Sequence, residues 1–347
     1  MAEVIVLGDI ILDIIVHIPS YPQPGGDGIA RAISIKSGGS AANTARALAQ
    51  CGISTGLIGR AGNDVLAQQA LADLRRAGVE SALIQRDPTT CGGMMVVIVT
   101  PDGQRTMIGY RGANVHTQPG ELDAAAIGAA DWLHLSGYAL LAAPQRKAAQ
   151  RALSIAHRAG VRISLDPGLE IARQDAALVH SLLPQIDMLF PNLDELYALA
   201  APADNVRDAL RSLHRQNVAA IALKLGDRGC VLSTRGVRID VPAFSTPVID
   251  TTGAGDAFAA GLIAGQMHGL DLRACGLWAN ALGALTASVE GSHAPDLETL
   301  GLFLQKHMQL ARWRDDRAAL QELDGHIKEL AAKRAINDQP RPRQQKT

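Results

Sequence analysis

The chain has 347 residues, 47% of them apolar and 19% charged, with a formal net charge of -1. That length and apolar content support one large α/β domain with a sizeable core and exclude global disorder. The near-neutral charge and an aromatic content of 3% exclude a nucleic-acid or membrane-surface role built on a broad basic field.

From the N-terminus, residues 4–16 are rich in Ile and Val and are interrupted by Gly8, Asp9 and Asp13. A buried strand is predicted over about 4–7, its end presenting acidic residues to a cleft. The opening, Glu3 followed by a β-like run, lacks the form of a signal peptide, and no apolar stretch is long enough to cross a bilayer. Cys51, Cys91, Cys230 and Cys275 lie far apart with no Cys-x-x-Cys pair, which suits buried thiols in a reducing cytoplasm. Pro19, Pro22, Pro24 and the Gly25-Gly26-Asp27-Gly28 cluster then break the chain ahead of an alternating run from Ile29 to Ile35.

A helix is predicted over 41–50, a strand over 56–58 and a helix over 65–77. Residues 94–100 and 105–111 flank Pro101-Asp102-Gly103-Gln104, a hairpin signal. Further strands at 132–135, 162–165, 188–190, 220–223 and 230–233 alternate with helices at 144–159, 193–200, 205–215, 255–267 and 272–289. Such alternation predicts βαβ units: a mostly parallel central sheet covered by helices on both faces. The two segments that break the rhythm, about 14–36 and 92–113, predict a small β-sheet that either forms a lid over a cleft or stands as an ordinary surface hairpin. After about residue 305 the chain turns charged. Leu320, Leu323, Ile327 and Leu330 recur at 3-4-3 spacing, an amphipathic helix that packs on the body or pairs with another subunit. The last ten residues, with Pro340 and Pro342, read as disordered.

Two Gly-rich strings carry the chemistry. The later one, Asp250-Thr251-Thr252-Gly253-Ala254-Gly255-Asp256-Ala257-Phe258, follows an apolar stretch ending at Val248-Ile249 and opens an Ala-rich helix. It delivers unpaired N–H groups and a positive helix end to one point, an anion site suited to phosphate. Asp256 gains nothing by facing a phosphate unless it takes a proton from the group attacking it. The local reading is phosphoryl transfer with Asp256 as base, a plain dipole partner being the alternative. The earlier string, Gly38-Gly39-Ser40-Ala41-Ala42-Asn43, opens the first long helix. Its paired glycines admit a ligand close to the backbone, and Asn43 offers the donor and acceptor that a polyhydroxyl ligand needs, unless it is a local cap.

Together, and with Gly52 and Gly62 following, the two strings resemble the paired signatures of the ribokinase-like sugar kinases, the PfkB carbohydrate kinase family, over about residues 3–305. Pro191-Asn192-Leu193-Asp194-Glu195 resembles the family's Asn-x-x-Glu element, although Asn192 and Glu195 also fit a capping box. Lys224-Leu225-Gly226-Asp227-Arg228-Gly229 resembles its nucleotide-side turn, and Ala279-Asn280-Ala281 the helix that borders the adenine. The resemblance implies a ribokinase-like kinase domain over 1–305, with the charged tail outside it. It implies transfer of the γ-phosphate of ATP to a hydroxyl of a small sugar: a pentose, ketohexose or sugar acid. Asp256 would be the base and the Gly253, Ala254, Gly255 and Asp256 turn the anion hole.

Asp13, Gly38, Gly39 and Asn43 would meet the acceptor. Lys224, Gly226, Gly229 and Asn280 would line the nucleotide subsite, with Asn192 and Glu195 on the Mg2+ side, Glu195 acting through water. Asp250 and Thr252 fall where family members place a K+ site. Arg105 and Arg111, six apart, share a strand face; they either grip an anionic group on the acceptor, the role put forward for Arg111, or are solvated edge charges. Asp166-Pro167 is followed by Gly168-Leu169, not by the Asn or Arg some members carry, which leaves that loop's contacts open. The expected partners are sugar, ATP and a second copy clasped through the lid. A nucleoside kinase of the same fold and a non-catalytic sensor are the rival readings. A dinucleotide-dependent dehydrogenase is excluded, because Gly8-Asp9-Ile10-Ile11-Leu12-Asp13 lacks the Gly-x-Gly-x-x-Gly turn.

Overall fold

A computed structural model describes residues 2–337. Its strands are β1 (Val4–Leu7), β2 (Ile11–His17), β3 (Ala32–Gly38), β4 (Thr55–Ala61), β5 (Ile84–Arg86), β6 (Gly93–Val99), β7 (Arg105–Tyr110), β8 (Trp132–Ser136), β9 (Arg162–Asp166), β10 (Met188–Leu189), β11 (Ala220–Lys224), β12 (Cys230–Thr234) and β13 (Arg238–Val241). The large sheet runs β13-β12-β11-β10-β9-β8-β1-β4-β5. It is parallel from β5 to β11, and β12 and β13 join antiparallel.

Every residue of β1 is buried, as a central strand between two helical layers demands. The period-2 alternation sends Val4 and Val6 into one core and Ile5 and Leu7 into the other. The first core packs under the helices Ser40–Gln50, Val65–Arg76, Ala254–Met267 and Leu272–Ala287. The second packs under Gln145–Ala159, Leu193–Ala200 and Val206–Arg215.

The apolar run over 4–16 is two strands in two sheets. At Gly8 the chain leaves the large sheet with φ 158°, and a Cβ there would lie 2.7 Å from the Ala41 Cβ. By Ile11 it has entered a second, four-stranded sheet of order β3-β2-β6-β7. Two antiparallel hairpins, β2–β3 and β6–β7, are joined there by parallel pairing of β2 with β6. Register sorts its faces. One carries Asp13, Lys36, Met95 and Arg105; the other carries Ile14, Ile33, Ile35, Val96, Ile98 and Ile108.

The helix Arg317–Asn337 buries Leu320, Leu323 and Ile327 in the first core, beside Leu272–Ala287 and Leu297–Met308. Of the two roles expected for its apolar stripe, the structure shows packing on the body. The disorder expected of the last ten residues concerns positions outside the described ones. Among the described residues no helix is long and apolar enough to cross a membrane.

Candidate active site

The helix Ala254–Met267 starts from Gly253, whose φ of 76° is left-handed; a Cβ there would come within 2.5 Å of the Ser292 Cβ. Only glycine fits both the conformation and the space. The Ala254 N–H donates to Thr251 O (3.2 Å), so the N–H groups of Gly255 and Asp256 are the ones this turn presents to an anion. Asp256 lies in the first helical turn. Its Oδ1 accepts from Ser40 Oγ (2.8 Å) and its Oδ2 from Asn43 Nδ2 (2.8 Å). One carboxylate thus binds the two Gly-rich strings together.

Both donors sit at the start of Ser40–Gln50, which opens after Gly39 (φ 92°) where a Cβ would meet Asp9 O at 2.5 Å. The amide oxygen of Asn43 is held by Ser292 Oγ (2.8 Å) and by the Arg46 guanidinium, which also reaches Ser37 O (2.9 Å). That fixes the Asn43 amide so that its NH2 must face Asp256. Sequence reasoning missed Ser40, Arg46 and Ser292 in this role. Ser40 lies inside the motif; Ser292 is brought in only by the fold. Burial drives the Asp256 pKa up to about 6, with Asp166 adding to the rise against the Asn43 and Ser40 hydrogen bonds and Lys224.

Asp13 stands across from this turn in β2, its carboxylate lying where a Cβ on Gly38 would be. Burial raises its pKa to about 6, with the Arg46 charge opposing. Among the described residues its carboxylate takes no hydrogen bond from the protein, so both oxygens can receive hydroxyl protons. Asn43 gives one N–H of its amide to Asp256 while its amide oxygen is held by Ser292 and Arg46.

On the opposite side, Lys224 ends β11 and its Nζ lies 2.6 Å from Asp166 Oδ2 at the end of β9. Burial works against the ammonium, but Asp166 and Glu195 outweigh it and raise the Lys224 pKa. Asp166 is a residue the sequence reading did not assign; an acid at the carboxyl end of a parallel strand was the signal available. Asn192 and Glu195 do form a capping box: Asn192 Oδ1 accepts the Glu195 N–H (2.9 Å) and Glu195 Oε2 the Asn192 N–H (2.8 Å). Burial and the neighbouring Asp166 charge raise the Glu195 pKa to about 7. Two carboxylates crowded in this way, with hard oxygen donors, suit a divalent cation that keeps its waters.

A cavity of about 360 Å³ opens beside this cluster, lined by Lys224, Gly226, Gly229, Ala254, Gly255 and Asn280 among others. Asn280 spends its NH2 on Val241 O (3.2 Å) and Pro242 O (3.0 Å), holding the loop that forms the cavity wall. Phe244 also lines the cavity and stacks on Trp313 of the tail, ring centroids 4.4 Å apart.

Neither lid arginine is a solvated edge charge, and neither is poised for an acceptor anion. Arg111 forks onto Asp9 (Nε to Oδ2, 2.7 Å; Nη2 to Oδ1, 2.9 Å) and also reaches Gln145, which corrects its expected role as an acceptor grip. Arg105 reaches Asp250 and Thr252, the pair where a K+ ion was expected.

Residues 1–300 match the family model described as pfkB family carbohydrate kinase. The chain belongs to the PfkB family of carbohydrate kinases, and it is an ATP-dependent phosphotransferase of that class. It is 32% identical over 308 residues to the ATP-dependent ribose-1-phosphate kinase of Halopiger xanaduensis, covering 88% of this chain and 99% of the relative. The Arabidopsis thaliana ribokinase solved with ribose and ATP matches with a TM-score of 0.77 at 26% identity, covering 87% of this chain and 98% of that one. An E. coli structure described as ribokinase II, solved with ATP and Mg2+, gives a TM-score of 0.79 at 25% identity, covering 88% and 100% of the two chains. The expected ribokinase-like fold and kinase class are shown by these matches.

Proposed function

We propose that this kinase transfers the γ-phosphoryl group of ATP to a hydroxyl of a small sugar, with ribose-type pentoses first among the acceptors. The observation that carries the reading is the double hydrogen bond of Asp256 to Ser40 and Asn43, which holds a half-buried base in the first turn of a glycine-capped helix. The acceptor hydroxyl gives its proton to Asp256 as its oxygen bonds to the γ-phosphorus. The bond from that phosphorus to the β–γ bridging oxygen breaks, and ADP leaves with the electron pair. The N–H groups of Gly255 and Asp256, with Lys224, face the charge that spreads over the transferring group. Glu195 and Asn192 would hold the water shell of Mg2+, which when bound neutralises the phosphate oxygens.

Asp13 is the acceptor-side anchor, since a carboxylate with two open oxygens suits a vicinal diol. The guanidinium groups near the cleft are engaged by protein oxygens, which favours an uncharged sugar. Two of the similar proteins bear on the choice: one is named for ribose 1-phosphate, an anionic sugar, and the other was solved with ribose, so both point to a ribose ring while only the second agrees with an uncharged acceptor. The outward face of the small sheet, with Ile33 63% and Ile108 61% exposed, is the surface through which a second copy would dock.

A coupled ADP-release assay over ribose, ribose 1-phosphate, deoxyribose, fructose, sugar acids and nucleosides tests the acceptor class. Turnover with pentoses, and an Asp13→Ala variant with a raised acceptor KM but unchanged ATP KM, are the expected results. Turnover with nucleosides alone would overturn the sugar reading, and silence with every acceptor would favour a sensor.

A further inference from the structure

Arg105 opens β7, opposite Val99 in the hairpin, and the register puts its side chain on the same face of the small sheet as Asp13. From there it reaches out of the lid into the loop that precedes the glycine-capped helix. Its Nη1 donates to Asp250 Oδ1 and to Thr252 Oγ1, the latter at 2.6 Å. Backbone donors reach Asp250 as well. Oδ1 takes the Thr252 N–H (2.8 Å), and Oδ2 takes the Gly291 N–H (2.8 Å).

The Asp250 side chain is 1% exposed and that of Arg105 is 25% exposed. A carboxylate buried to that degree requires a counter-charge, and the guanidinium supplies it while also satisfying the hydroxyl next door. A monovalent metal ion does not fit here as well. It would have to share Asp250 Oδ1 and Thr252 Oγ1 with the guanidinium and sit against a fixed positive charge.

We infer that the Arg105 guanidinium is the resident cation of the Asp250–Thr252 segment: it takes the place of a monovalent metal ion and ties the lid strand directly to the turn that forms the anion hole. Thr252 adjoins Gly253, and Thr251 O holds the Ala254 N–H, so a lid displaced by the loss of this contact carries the turn with it. Arg105 is therefore a positioning residue, acting on the phosphoryl site through Asp250 and Thr252. This second half rests on reading Gly253–Asp256 as the phosphoryl site; the exclusion of a metal ion does not.

The test compares wild type, Arg105→Ala and Arg105→Lys in potassium chloride and in choline chloride at equal ionic strength, by thermal melting and by initial rates. Wild type is expected to show the same melting temperature and the same kcat in both salts. Arg105→Ala is expected to lose turnover by on the order of tenfold to a hundredfold in choline, the scale of a slightly misplaced reacting group. Potassium or guanidinium ion should then raise both its melting temperature and its kcat, because each refills the vacated position in the folded state only. Arg105→Lys, which keeps the charge, should stay closer to wild type. Potassium-dependent melting or turnover in wild type would overturn the inference. So would an Arg105→Ala variant that keeps wild-type kcat in choline, or one that loses turnover and responds to neither ion. The melting comparison stands whether or not Asp256 proves to be the base, so failure of the two readings is distinguishable.

Discussion

Asp256 combines two demands that pull against each other. As the proposed base it must be basic enough to take a hydroxyl proton near neutral pH, and it must be ionised while half-buried. Burial lifts its pKa to about 6, and the Asn43 and Ser40 hydrogen bonds keep it from rising further. Turnover should therefore fall as pH drops below about 6 and level off above it, which a pH–kcat profile will show. The sign for stability is the reverse. A folded-state pKa above the ordinary carboxylate value makes ionised Asp256 a cost that is absent in acid and complete above about pH 6. Asp256→Asn should lower kcat by on the order of a hundredfold to ten-thousandfold, while calorimetry finds ADP affinity unchanged. An asparagine variant with near-normal turnover would remove Asp256 as base. The sequence exposed Asp256, Asn43 and Asp13 because each lies in or beside a local pattern. Arg46 and Ser292 were hidden, since their work is to hold the amide of Asn43 and nothing local marks it.

Among the elements, the turn at Gly253 is the most constrained. Gly253→Ala asks an L-residue to take φ 76° and to place its methyl against Ser292, so a loss of about 1–3 kcal/mol is expected. A melt together with a lowered kcat at unchanged acceptor KM checks it. The tail reaches the cavity proposed for the nucleotide through Trp313, which is buried and stacks on the cavity-lining Phe244. Trp313→Ala should cost about 3–5 kcal/mol and raise the ATP KM while sparing the acceptor KM; the opposite kinetic split would disconnect the tail from the nucleotide. Helices were legible from their Ala- and Leu-rich periodicity. β1 was read at 4–7, but the start of β2 at Ile11 was not, because a mostly buried Ile-rich stretch carries no clear period-2 signal to mark a second strand in a different sheet. The short edge strands β5 and β13 were also missed, since three or four residues give too little pattern to detect.

For the molecule as a whole, the outer lid face is the proposed seat of a second copy. Ile33, Ile35 and Ile108 form an exposed apolar surface with no charge among them, a poor surface to leave in water. Ile35→Asp combined with Ile108→Asp should convert a dimer to a monomer in light scattering with little effect on the melting of the large domain. A wild-type protein that is already monomeric at assay concentration would refute dimerisation through the lid. The mixed character of the second sheet has one more consequence. Its parallel seam joins β2 to β6 across the intervening β3, β4 and β5, so neither hairpin alone contains the whole platform. Loop-closure entropy delays such distant pairings until the intervening chain has been drawn in. The face that carries Asp13, the proposed acceptor anchor, is thus complete only once the two hairpins have met.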